Sequence, residues 1–146
     1  MLELYDCPET LLDDVEFVKQ ALIDTSEQSL STLLKQVTHR FHPHGVTALG
    51  LLAESHISIH TWPEHRYAAA DLFTCGDQAD PERACQFLVH TFQAEQYDFI
   101  QLARGSGPLA NPLLGTQKIA SFSGVRGLRV RTPHQNSVLP PMSQSV

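Results

Sequence analysis

Between Ser55 and Trp62 the chain reads Ser-His-Ile-Ser-Ile-His-Thr-Trp, an alternation that only an extended strand turns into two coherent faces. Ser55, Ile57, Ile59 and Thr61 project to one side, and His56, Ser58, His60 and Trp62 to the other. One face of a sheet is therefore loaded with hydrogen-bonding and titratable groups. A turn signal follows at Pro63 to Arg66. The next strand-like run, Tyr67 to Cys75, then returns alongside and places Cys75 near the beginning of the first run. Serine, histidine and cysteine are expected to share a site there.

Periodicity fills in the rest of the fold. Leu2 to Tyr5 reads as a short strand, and Pro8 takes a first helical position. Leu11, Val15, Val18 and Leu22 recur at helical spacing with Asp13, Asp14, Glu16 and Lys19 opposite, which predicts one amphipathic helix. Ser29 to Phe41 reads as a strand closed by Pro43-His44-Gly45, and Val46 to Ala53 as a nearly continuous apolar strand suited to a central sheet position. Asp80 as N-cap, Pro81 behind it and the row Ala84, Phe87, Leu88, Thr91, Phe92 predict a second helix, and Tyr97 to Ala103 a last strand. This β-α-β-β-β-β-α-β order implies an α+β two-layer sandwich, a largely antiparallel sheet with helices on one face. A single domain over residues 1–105 accounts for the patterned part of the 146 residues. Over residues 106–146 Gly, Ser, Pro and Asn accumulate, and this tail is expected to be largely disordered, with Leu128 to Arg131 a weaker candidate for a short strand.

Charge and cysteine usage remove several classes of function. A formal net charge of −6 argues against nucleic acid as a partner, because counterion release needs a concentrated basic surface. No apolar run has membrane-spanning length, and the start lacks a secretory pattern, so a cytoplasmic protein is expected. Cys7, Cys75 and Cys85 are an odd number without a Cys-x-x-Cys pair, which suits a reducing compartment.

The segment Glu54-Ser55-His56, Ile59-His60-Thr61-Trp62-Pro63-Glu64 and Asp71, Phe73-Thr74-Cys75-Gly76 resembles the processing and active-site segment of the prokaryotic S-adenosylmethionine decarboxylase proenzymes. The earlier His39 to Gly45, His-Arg-Phe-His-Pro-His-Gly, resembles the element ahead of the family's cleavage site. The similarity runs from about Leu2 to Gly105. The chain opens at Met1-Leu2-Glu3-Leu4-Tyr5 without the few Gly- and His-containing residues usual in the family's first strand, and its tail is unlike the family's.

The resemblance implies a self-cleaving enzyme. Attack by Ser55 on the Glu54 carbonyl would turn the amide into an ester, and elimination would split the precursor into a β chain, residues 1–54, and an α chain, residues 55–146. The α chain would begin with a pyruvoyl group in place of Ser55, the covalent cofactor that forms a Schiff base with the α-amine of S-adenosylmethionine and accepts the electron pair left by CO₂. No metal is then needed. The product would be the aminopropyl donor of spermidine synthesis. By the same resemblance His60 is the proton acceptor in processing and Cys75 the proton donor in decarboxylation; the Thr47 hydroxyl is a further candidate processing aid. Phe41 and Glu64 are expected to bind substrate, an aromatic facing adenine and the sulfonium and a carboxylate accepting the ribose hydroxyls. The family also dimerises, burying the open sheet faces against each other, so a homodimer of processed protomers is expected.

Each residue also has a structural reading: Phe41 as core, Glu64 as a solvated turn residue, His60 as a histidine bound to backbone. Two other classes compete. His56, His60, His65 and Cys75 carry zinc-ligand chemistry, but at about 3.3 Å per residue His56 and His60 stand about 13 Å apart along a strand, too far to share an ion. A non-enzymatic ligand-binding module of the same architecture is the other. Within the pyruvoyl chemistry, ornithine or arginine is the alternative substrate, against which Phe41 and Glu64 count.

Overall fold

The computed structural model describes residues 1–75, 78–102 and 117–123, the last seven and residue 102 by backbone alone. Strand β1 (Leu2–Tyr5) is followed by α1 (Glu9–Leu12), α2 (Val15–Gln28), β2 (Leu33–Arg40), β3 (Val46–Leu52) and β4 (Ser55–Trp62). After a 3₁₀ turn (Pro63–His65) come β5 (Tyr67–Thr74), α3 (Pro81–Thr91), β6 (Gln96–Leu102) and β7 (Gln117–Ser123). The seven strands form one sheet in the order β2-β3-β4-β5-β1-β6-β7, with every neighbouring pair antiparallel.

Three elements depart from the sequence expectation. The first helix is two, because Asp14 caps a new start by accepting the Phe17 N–H at 3.0 Å. Asp13 meanwhile turns to the loop after β2, accepting from Gly45 N–H and from the Arg40 guanidinium. Those tertiary partners outweigh the helical period. Second, α2 runs on to Gln28, and Ser29 donates its hydroxyl to Ser26 O, so β2 begins at Leu33 rather than at Ser29. Third, β7 adds to the β6 edge, a strand that the sequence reading did not offer. Leu128 to Arg131 lies outside the described residues.

The helices cover one face. Ile57 and Ile59 of β4, Val46, Ala48 and Leu52 of β3 and Leu2 and Leu4 of β1 are buried with Val18, Ala21 and Leu22 of α2 and Leu88 and Phe92 from α3. Packing is close enough that a Cβ on Gly50 would lie 2.7 Å from Ile57 Cγ2 and 3.0 Å from Leu22 Cδ2, so this strand position admits only glycine without a shift.

The opposite face has no covering layer among the described residues. In register across it stand Val37 opposite Leu49, Thr47 opposite His60, Leu49 opposite Ser58, Leu51 opposite His56, and Ser58 opposite Asp71. Val37, Leu49 and Leu51 are 60%, 44% and 53% exposed. The near-continuous apolar run of β3 is thus explained on one side only within a protomer. Val37, Leu49 and Leu51 so form an exposed apolar row on this face.

Candidate active site

The residues singled out in the sequence fall into two groups at opposite ends of β4. At its start Ser55, directly after Glu54, lies opposite Thr74 at the end of β5. Cys75 follows directly, and two of its groups converge on one atom: the backbone N–H at 3.1 Å and the thiol at 2.6 Å both donate to the Glu54 carbonyl oxygen. Cys75 is exposed, whereas Cys7 and Cys85 are buried. Burial pushes the Cys7 thiol up to about 12 and the Cys85 thiol up to about 11, so both stay protonated and inert as packing groups. Ser55 Oγ lies 3.2 Å from His56 Nδ1, and the Glu54 carboxylate accepts the Thr32 N–H at 2.9 Å. The expected juxtaposition of Ser55 and Cys75 is therefore present, and it is built by the hairpin β4–β5.

The other group gathers where β2, β3 and β4 meet the loop 41–45 and the 3₁₀ turn. His60 Nδ1 is 2.9 Å from Thr47 Oγ1 on the neighbouring strand. Burial lowers the His60 pKa below its ordinary value, with a weaker opposing pull from the Asp71 carboxylate, so the ring is neutral near pH 7. When Nδ1–H donates to Thr47, Nε2 keeps its lone pair and can accept a proton. Glu64 pairs with His44 Nε2 at 3.0 Å, and Phe41 stands nearly perpendicular to His39, ring centroids 4.8 Å apart. Gly45 closes this loop at φ 101°, and a Cβ there would meet Thr61 O at 2.9 Å. Phe41 is 40% exposed, so the core role considered for it does not hold.

Within one protomer, then, Ser55 and His60 do not share a site. Five residues of antiparallel strand separate them by about 17 Å, far beyond a hydrogen bond. His56, which the sequence left without a role, is the histidine beside Ser55. Sequence reasoning also passed over the aromatic row next to His60: Trp62 and Tyr67 lie 5.2 Å apart and Tyr67 and Tyr5 5.5 Å, with Tyr67 donating its hydroxyl to Glu3. The tight turn at Pro63–His65 was the available signal, since it makes Trp62 and Tyr67 cross-strand partners. Among the described residues, no three His, Cys, Asp or Glu side chains gather in a way that could hold a metal ion, and no helix is long and apolar enough to cross a membrane.

Comparison with known proteins identifies the family. The model of the family described as S-adenosylmethionine decarboxylase matches residues 1–105. The chain is 58% identical over 88 residues to the S-adenosylmethionine decarboxylase proenzyme of Synechococcus sp. (strain WH7803), spanning 60% of this chain and 69% of that protein. It is 50% identical over 104 residues to the one from Prochlorococcus marinus (strain MIT 9211), spanning 71% and 85%. Among solved structures it resembles the adenosylmethionine decarboxylase from Aquifex aeolicus VF5, with a TM-score of 0.62 and 26% identity over 93% of this chain and 92% of that one.

Proposed function

The chain belongs to the S-adenosylmethionine decarboxylase family, and we propose that it performs this decarboxylation with a pyruvoyl group made from its own Ser55. It is an enzyme synthesised as a proenzyme. The observation that carries the reading is the pair of Cys75 donors on the Glu54 carbonyl oxygen. That oxygen becomes negative when Ser55 Oγ adds to the carbonyl carbon, and preorganised donors at 2.6 and 3.1 Å stabilise the charge as it forms. Collapse breaks the C–N bond and leaves Glu54 esterified to Ser55 Oγ with a free amine at residue 55. A base then removes the Ser55 Cα proton, and the electron pair breaks the Cβ–Oγ bond and releases residues 1–54 as a carboxylic acid. The enamine left at residue 55 takes up one water and loses one ammonia, which balances the conversion of serine to pyruvoyl.

The residues present fit that group: a serine with its carbonyl partner held by two donors, and a thiol beside it. Once formed, the pyruvoyl ketone supplies the electron sink for loss of CO₂. Cys75, placed against position 55, holds the proton that the substrate carbon needs after CO₂ leaves, and a thiol can carry a proton at neutral pH yet yield it to a carbanion. The group comprising Phe41, Glu64, Thr47 and His60 belongs to the same chemistry, with Phe41 for adenine and sulfonium and Glu64, oriented by His44, for the ribose.

Because that second group lies about 17 Å from Ser55 in the same chain, a complete site needs a second copy. A two-fold pairing of open faces buries Val37, Leu49 and Leu51 and brings the start of β4 of one chain to the His60 end of the other, giving two equal sites per dimer. His60, neutral through burial and set by Thr47, is then the base for Ser55 of its partner. A second reading is favoured by the 3.2 Å contact of Ser55 Oγ with His56 Nδ1, which makes His56 a base within the same chain. His56→Ala and His60→Ala separate the two, since only the true base is needed for cleavage. The substrate assignment is tested by CO₂ release from S-adenosylmethionine, ornithine and arginine. Release from S-adenosylmethionine alone is expected, and faster release from either amino acid would overturn it.

A further inference from the structure

Glu54 contributes its carbonyl to the chemistry above, but its side chain has no part in it and is nonetheless bound. The carboxylate accepts the Thr32 N–H at 2.9 Å, while the N–H of the preceding Ala53 donates to Thr32 O at 2.9 Å. Thr32 therefore grips two successive residues of the β3–β4 turn, once through backbone and once through the Glu54 side chain. It lies just before β2, whose ladder with β3 starts at the pair Leu33 and Leu52. On its other side Glu54 is held by Cys75, through the carbonyl oxygen. The residue is thus fastened toward β2 by its side chain and toward β5 by its backbone.

A peptide unit held at only one point can rotate its carbonyl away from an attacking group. Two fixed points remove that freedom before the reaction begins. We propose that the Glu54 carboxylate is a positioning residue for self-cleavage: its bond to Thr32 N–H fixes the Glu54–Ser55 peptide so that the carbonyl oxygen stays between the two Cys75 donors while Ser55 Oγ approaches the carbon. The inference rests on the self-cleavage reading. What the position requires is an acceptor oxygen at the reach of a glutamate. Glutamine keeps both acceptor and length, alanine removes the acceptor, and proline at Thr32 removes the donor without touching Glu54.

The experiment follows processing by intact mass in the full chain for wild type, Glu54→Gln, Glu54→Ala and Thr32→Pro, each checked for native circular dichroism and dimer size. Cleavage of Glu54→Gln is expected within about threefold of wild type, and that of Glu54→Ala slowed on the order of 10- to 100-fold, the scale of a misplaced reacting group. Thr32→Pro, where it folds, should match Glu54→Ala, and the double variant should be no slower than either single one, since both remove one bond. The uncut Glu54→Ala chain should resist hydroxylamine, because the ester has not formed. Wild-type speed in folded Glu54→Ala would overturn the proposal, as would Glu54→Gln as slow as Glu54→Ala, or an ester accumulating in Glu54→Ala. A wild-type chain that never cleaves refutes self-cleavage itself, a separate result.

Discussion

Mixing two inactive variants tests whether the separated halves of the site meet across a dimer. A Ser55→Ala chain lacks the nucleophile but keeps His60, and a His60→Ala chain keeps Ser55. Neither homodimer should cleave, since each lacks one of the two groups at both sites, and the about 17 Å between them in one chain means that a complete pair needs two chains. In a mixed dimer, one of the two sites pairs the intact Ser55 of the His60→Ala chain with the intact His60 of its partner. Equal amounts assembling at random give each His60→Ala chain about an even chance of a complementary partner, so about half of those chains should be cleaved and no Ser55→Ala chains. Distinct tags on the two variants let intact mass spectrometry count each species after co-expression. Cleavage near that ceiling supports the two-chain site. No cleavage in the mixture would refute the geometric argument, and rapid cleavage of His60→Ala on its own would move the base to His56. As a control, Leu49→Glu places a charge in the apolar row and should leave the chain monomeric and uncut.

Cys75→Ala removes one of two oxyanion donors and the decarboxylation acid, so processing should slow by roughly 100-fold and the cleaved fraction should release little CO₂; turnover near wild type would remove Cys75 from both roles. Because burial lowers the His60 pKa below 6.5 and the neutral ring is the base, the cleavage rate should fall with acid and reach half its plateau only below pH 6.5. A midpoint above 6.5 in a pH series of processing rates would contradict this. Phe41→Ala should cleave itself normally yet lose about 2- to 30-fold in kcat/KM for S-adenosylmethionine, the worth of a cation–π contact. Glu64→Ala should likewise process and then bind substrate weakly, and failure of either variant to cleave would assign it to processing instead.

Much of the molecule was legible before any coordinates. The β4–β5 hairpin followed from strict alternation and the Pro63 turn, and α3 from Asp80 and Pro81, whose cap bond to Arg83 N–H forms as expected. The meeting of Ser55 with Cys75 follows from that hairpin alone. What a single-chain reading missed was length: the rise per residue that separates His56 from His60 along β4 also separates Ser55 from His60. The break at Asp13 was hidden because its partners, Arg40 and Gly45, lie far along the chain. The apolar run of β3 promised burial on both faces, and among the described residues only one of them is covered.

The central claim is most directly tested by the intact mass of the purified protein after long incubation. Two chains are expected, residues 1–54 ending in a free carboxylate and residues 55–146 lighter by one ammonia than a serine-started fragment and blocked to sequencing from its N-terminus. A single uncut mass, or a second fragment that begins with an ordinary Ser55, would contradict the account.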